Sequence, residues 1–313
     1  MKKTSKIYVA EHTGLIGSAI VRKLKEEKYK NILIFTSEEL DLKNKDDTET
    51  MFRLEKPEYV FLAAARSGGI YDNNIKPGEY LYNNITIQTN VIEAARKYGT
   101  KKLIFLSSSN VYPKISEQPI KEEYLMTSSI DPANISYAIA KIAGIEMCRS
   151  YRKQYGSNFI SVISSNVYGP NDNFDIPSSR VIPSFIRKFH EAKIQGITTV
   201  EILGDGTPLR EFLYVDDLVD ALITIMHKYN LPQPINVGSG YDVPIKFLAK
   251  MIADIIEYKG ELFYNKEYTN GPQKILMDSS KIRELGWEPY TSLEEGIKNT
   301  YNWFVENYEK IRG

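Results

Sequence analysis

Two side chains able to do proton chemistry stand four residues apart in the run Tyr137-Ala-Ile-Ala-Lys141. On a helix that spacing puts phenol and ammonium on one face. The lysine can hold a nicotinamide ribose and, with the oxidised ring, lower the phenol's pKa towards neutrality. The phenol can then pass a proton to a carbonyl oxygen while hydride arrives from the nicotinamide. A chain with 22 tyrosines produces such a pair easily by chance, so the surroundings decide.

Those surroundings are consistent in order. The run Phe105-Leu-Ser-Ser-Ser-Asn-Val-Tyr112 ends an apolar segment upstream of Tyr137 and supplies hydroxyls for the same carbonyl oxygen. Asn166-Val-Tyr-Gly-Pro170 ends the next apolar segment, with polar groups suited to the nicotinamide and the substrate. Near the start, Lys6 to Gly17 runs from strand through turn into helix. Gly14 and Gly17, flanking Leu15 and Ile16, hold the second and third places of a G-x-x-G-x-x-G phosphate turn. There the backbone approaches a pyrophosphate at a helix N-terminus. Glu11 holds the first place. A carboxylate about 5 Å from a phosphate costs roughly 1 kcal/mol even in water, so its side chain is expected to point away. Asp41-Leu42 follows the second strand, where a side chain can meet the adenine, and Ala63-Ala64-Ala65 follows the third, where small residues let a cofactor backbone pass. Together these imply a bound dinucleotide. The choice between NADP and NAD stays open: Phe35-Thr36-Ser37 brings neither an acid nor an arginine, only hydroxyls able to donate to a phosphate.

The elements that must position these groups follow from apolar periodicity. Strands are expected at 6–10, 31–35, 59–64, 102–107 and 159–164, with helices at 15–27, 46–54, 84–98 and 137–155. Strands apolar on both faces, alternating with amphipathic helices, predict a doubly wound parallel α/β sheet of Rossmann type. Beyond about residue 170 the regularity breaks, Pro177, Pro183 and Pro208 mark loops, and helices return at 216–228, 245–258 and 293–308. The expected organisation is a dinucleotide domain over 1–170, to which later segments return, and a smaller interleaved substrate lobe over 171–313.

Composition excludes several classes. Forty basic residues balance forty acidic ones, so no net field draws the chain to nucleic acid or membrane. The single cysteine, Cys148, permits no intramolecular disulfide or cysteine metal cluster and reads as a buried structural thiol. No apolar run reaches a signal-peptide core or membrane span. The expected compartment is the cytoplasm, and no metal is called for.

The chain resembles the extended short-chain dehydrogenases, most closely the GDP-L-fucose synthases, which are 3,5-epimerase-4-reductases of a GDP-4-keto-6-deoxy sugar. The resemblance spans nearly the whole length. It is carried by Ala63-Ala-Ala-Arg-Ser-Gly-Gly-Ile70, Tyr137-Ala-Ile-Ala-Lys-Ile-Ala-Gly-Ile145, Asn166-Val-Tyr-Gly-Pro-Asn-Asp-Asn-Phe174 and Gly206-Thr-Pro-Leu-Arg-Glu-Phe212, with Val181-Ile-Pro183 and Leu285-Gly-Trp287. It implies a reductase triad of Ser108, Tyr137 and Lys141, and a nicotinamide contact around Asn166. Lys188 and Arg210 are implied as ligands of the nucleotide diphosphate, and Asn270 sits near a position that meets its ribose or base. A homodimer packed through the 84–98 and 137–155 helices is also implied. Where the family carries its epimerase cysteine and histidine, this chain has Asn110 and Arg180. Neither exchanges protons near neutral pH. The expected activity is an NADP(H)-preferring C4-keto reductase of a GDP-4-keto hexose or heptose, with NAD(H) not excluded. A separate 3,5-epimerase acting before it in making surface-polysaccharide precursors is part of that expectation. Arg180 then holds a substrate hydroxyl or phosphate, or fills space.

Four rivals are weighed against this expectation. One is a bifunctional GDP-L-fucose synthase. A 4,6-dehydratase needs carboxylates beside the catalytic hydroxyl, where Ser109 and Asn110 stand. A 4-epimerase would keep its NAD and show no net redox. A non-catalytic nucleotide sensor sits poorly with an intact Ser108, Tyr137 and Lys141.

Overall fold

The computed structural model describes residues 1–268 and 270–312. Its first half alternates strand and helix: β1 (Lys6–Ala10), α1 (Leu15–Glu26), β2 (Asn31–Leu33), α2 (Lys45–Glu55), β3 (Tyr59–Leu62), α3 (Ile70–Ile75), α4 (Pro77–Lys97), β4 (Lys102–Ser108), α5 (Ile135–Tyr155) and β5 (Phe159–Ser164). Beyond these come β6 (Asn166–Tyr168), α6 (Val181–Gln195), β7 (Thr199–Leu203), β8 (Leu209–Tyr214), α7 (Val215–Lys228), β9 (Ile235–Val237), β10 (Asp242–Pro244), α8 (Ile245–Ile256), β11 (Glu261–Asn265), β12 (Lys274–Ile275), α9 (Ser280–Glu284) and α10 (Leu293–Arg312).

Six strands pair in the order β2-β1-β3-β4-β5-β9, every pair parallel. Successive strand residues face opposite sides, and both sides are covered. Ile7, Val9, Phe61, Ile104 and Leu106 pack with Ile20 and Leu24 of α1 and Leu218 and Leu222 of α7. Tyr8, Ala10, Val60, Leu62, Leu103 and Phe105 pack with Phe52 of α2, Val91 and Ile92 of α4, and Ile145 of α5. Cys148 lies in this second layer, 1% exposed; burial pushes its thiol up to about 12. This is a Rossmann-type sheet. A third apolar cluster, joining α6, α8 and α10 around Phe189, Ile252 and Phe304, forms the smaller lobe. There β8 is flanked by antiparallel β10 and parallel β12, β6 also pairs with β8, and β7 pairs with β11.

Several boundaries differ from expectation. β2 stops at Leu33 instead of Phe35, because as an edge strand it is held by β1 alone. β3 ends at Leu62, leaving Ala63 and Ala64 in the loop. α4 begins at Pro77, two turns before Asn84, with proline in the first helical turn where its missing N–H costs nothing. α5 likewise starts at Ile135 and α10 runs on to Arg312. Among the described residues, no helix is long and apolar enough to cross a membrane.

Candidate active site

The sheet order reverses between β1 and β3, and in such sheets ligands bind beyond the strand ends at that switch point. The turn leaving β1 is built for close approach. A Cβ on Gly17 would lie 1.8 Å from the Glu11 carbonyl oxygen, and one on Gly14 would lie 2.8 Å from Glu11 Oε1. Leu15 is buried in the core behind the turn and Ile16 packs against that core. The Glu11 side chain corrects the expectation that it points away. It crosses from the end of β1 to the loop after β3, where its Oε2 accepts the Ala65 N–H at 3.0 Å. That donor offsets the cost of holding a carboxylate there.

α5 delivers the proposed acid. Gly144 lets the helix sit against the sheet, since a Cβ there would meet the Phe105 ring at 2.3 Å. Gln88 of α4 ties it further by donating to the Ala140 carbonyl at 2.6 Å. Tyr137 is 9% and Lys141 2% exposed. Lys141 Nζ lies 5.9 Å from the Tyr137 ring centre and donates to the Leu106 carbonyl of β4 at 2.9 Å. Burial pulls the ammonium down to about 8, with Glu11 opposing. Burial raises the phenol's pKa and Glu11 adds to the rise, while Ser108 and Arg180 oppose it. The Ser108 hydroxyl therefore faces the phenol, in a contact too loose for a well-formed hydrogen bond. Its Oγ is buried with no other partner, as suits a group awaiting a substrate carbonyl. Ser109 and Asn110 follow in a single turn of 3-10 helix, Ser109 buried.

Arg180 stands at the mouth of α6 and donates to Asp172 Oδ1 at 2.9 Å. The Asp172 side chain is 4% exposed, and its second oxygen has no partner. Asp172 was not singled out in the sequence; the usable signal is an acid eight residues before an arginine that must enter a closed site. The structure thus brings Ser108, Tyr137, Lys141 and Arg180 together, with Glu11 beside them.

Other expected site residues stand elsewhere or are engaged. Asn166 Nδ2 donates to the Glu211 carbonyl at 3.0 Å, pinning β6 to β8. Asp41 accepts the Lys43 N–H at 2.9 Å, turned into its own loop, and Leu42 is buried. Ser37 lies in the turn after β2, and Ala64 is buried in the core. Lys188 lines an open crevice of about 310 Å³ with Glu191, Thr199 and Glu201; burial lowers its pKa and Glu201 opposes. Arg210 donates to its neighbour's carbonyl, Leu209 O, at 2.8 Å. Burial lowers its pKa, so it suits an incoming anion. Asn270 Oδ1 accepts the Asp205 N–H at 3.3 Å, bracing the turn at Gly204.

The NAD dependent epimerase/dehydratase model matches residues 7–238. The chain belongs to that family. It is 48% identical to GDP-L-fucose synthase 1 of Arabidopsis thaliana over 97% of this chain and 94% of the relative. Among solved structures, it is similar to a GDP-6-OMe-4-keto-L-xylo-heptose reductase from C. jejuni, with TM-score 0.93 and 37% identity over 98% of this chain and 99% of that one. It is also similar to the GDP-mannoheptose C4 reductase from Campylobacter jejuni with NADP bound, with TM-score 0.90 and 39% identity over 97% and 99%. Membership and the Ser108–Tyr137–Lys141 arrangement make the chain a nicotinamide-dependent enzyme. Its residues fit such a cofactor: a glycine turn at the sheet's switch point that side chains would fill, and a buried ammonium held against β4.

Proposed function

We propose that this protein reduces the C4 ketone of a GDP-linked 4-keto hexose or heptose, preferring NADPH, and has no 3,5-epimerase activity of its own. The observation that carries the reading is Arg180, bound to the buried Asp172 and facing Tyr137. Epimerisation needs a base that takes and returns protons at C3 and C5. A guanidinium remains charged and the Asn110 amide does not titrate, so neither of these two positions supplies that base beside the acid for the ketone. The two Campylobacter reductases support the reading by what they act on, and the one with NADP bound supports the cofactor preference.

The glycine turn, Ala63–Ala65 and Lys141 would hold the cofactor, which supplies hydride to the ketone carbon when bound. Ser108 Oγ donates a hydrogen bond to the ketone oxygen, and Tyr137 gives that oxygen its proton. The charge on Lys141 steadies the phenolate left behind. Lys188 and Arg210 would pair with the nucleotide diphosphate. The product would supply surface-polysaccharide synthesis in the cytoplasm, with a separate 3,5-epimerase acting first. A homodimer through α4 and α5 is supported by side chains left exposed on them, Tyr82, Ile135 and Ile139.

Solvent deuterium tests the reading. With a GDP-4-keto sugar and NADPH in deuterated water, the purified protein is expected to consume NADPH and leave C3 and C5 undeuterated. Rapid deuterium entry at either carbon, beyond a protein-free control, would overturn the loss of epimerase activity and favour the bifunctional reading that 48% identity to a GDP-L-fucose synthase supports.

The pH profile follows from Lys141. Its charge is present below about 8 and lost above it. At saturating NADPH, kcat for reduction should be level near neutrality and fall about tenfold per pH unit beyond the break. A level profile through about pH 9.5 would separate Lys141 from the proton step.

A further inference from the structure

Glu11 has φ 63°, the left-handed region that favours glycine. The backbone therefore keeps a glycine's conformation while adding a carboxyl group at the entrance to α1. The group is held in place from both sides. Oε2 accepts the Ala65 N–H, and Oε1 lies so close over Gly14 that a Cβ there would be 2.8 Å away. It bridges the ends of β1 and β3, where the sheet order reverses. A dinucleotide crosses a Rossmann-type sheet at this gap, with its diphosphate against the helix N-terminus. An ionised carboxyl and a diphosphate repel each other there.

Few charges bear on Glu11. Lys141 and Tyr137 face it from α5, and the Ala65 N–H faces it from the β3 side. Beside it in the chain, His12 Nδ1 is buried without a partner. Glu11 keeps solvent access through the cleft, yet protein packed around its carboxyl raises its pKa, with the Ala65 N–H and Lys141 opposing.

We propose that Glu11 is a proton-operated latch on the dinucleotide cleft: ionised, it closes the passage between the glycine turn and Ala65, and protonated, it opens by donating a hydrogen bond to the entering diphosphate. The proton comes from solvent and stays on the carboxyl while the cofactor is bound. The proposal rests on the cofactor reading above.

The test is binding, not turnover. NADPH is titrated into the full chain, its nicotinamide fluorescence read from about pH 5.5 to about pH 8.5. The proteins are wild type, Glu11→Gln and Glu11→Gly. Glutamine stands in for the protonated acid, and glycine suits the backbone at φ 63°. NADPH's own phosphate titrates near pH 6, so the readout is the ratio of wild-type to variant Kd at each pH. The ratio should climb about tenfold per pH unit once Glu11 ionises. At about pH 8 both variants should bind at least about tenfold tighter than wild type, about 1.4 kcal/mol. Equal affinity with parallel pH profiles in all three proteins would overturn the latch and leave the reductase reading standing. Failure of all three to bind would overturn both.

Discussion

Replacing Tyr137 by phenylalanine should lower kcat for ketone reduction by about three orders of magnitude, while NADPH binds as it does to wild type. The phenol is 9% exposed and burial raises its pKa, so it remains protonated at neutral pH, as an acid for reduction must. Phenylalanine fills the same space and removes only the transferable proton. Water has poor access to replace it. The neighbouring Ser108 hydroxyl can hold the ketone oxygen, but its own pKa is too high for it to act as the acid. A positioned acid contributes about a hundredfold to ten-thousandfold, and Tyr137 is the acid that Ser108 faces here. Single-turnover NADPH oxidation separates the chemical step from product release, and fluorescence titration reads the cofactor affinity. A variant turning over within about threefold of wild type would remove Tyr137 from the proton step.

The sheet was legible in the sequence where strands are buried on both faces. β1 and β5 fall on their expected residues, and β4 differs by one, because each is a short, mostly apolar run between turn signals. From residue 166 on, the strands β6, β9, β10 and β12 are only two or three residues long. They exist because distant segments pair with them, and no local periodicity announces that. The same division runs through the site. Tyr137 and Lys141 declare themselves by helical spacing, and the strand end shows three serine hydroxyls, among which the family resemblance singles out Ser108. Asp172 and the direction of Glu11 do not, because each is decided by a partner from another element. For Arg180 the guanidinium was visible in the sequence, but the buried carboxylate that aims it was not.

Two adjacent lysines at the start of β4 give that lesson an energetic form. Strand alternation sends Lys101 outward, to a surface pair with Glu58, and Lys102 inward, where it is 3% exposed. The Lys102 ammonium donates to the carbonyls of Ile225, Met226 and Tyr229 at 2.7, 2.9 and 2.6 Å. These lie at the C-terminal end of α7, where helix carbonyls lack intrahelical partners and the helix dipole favours a cation. Burial pulls the ammonium down to about 8, so it remains charged at neutral pH, as three acceptors require. Lys102→Met keeps the length and strands those carbonyls away from water. The expected loss is about 2–4 kcal/mol of stability, or roughly 5–10 °C in Tm. Lys101→Met should leave the urea midpoint where it is, since exposed ion pairs contribute little. Equal midpoints for both variants would mean that water reaches the end of α7 and that Lys102 does not cap it.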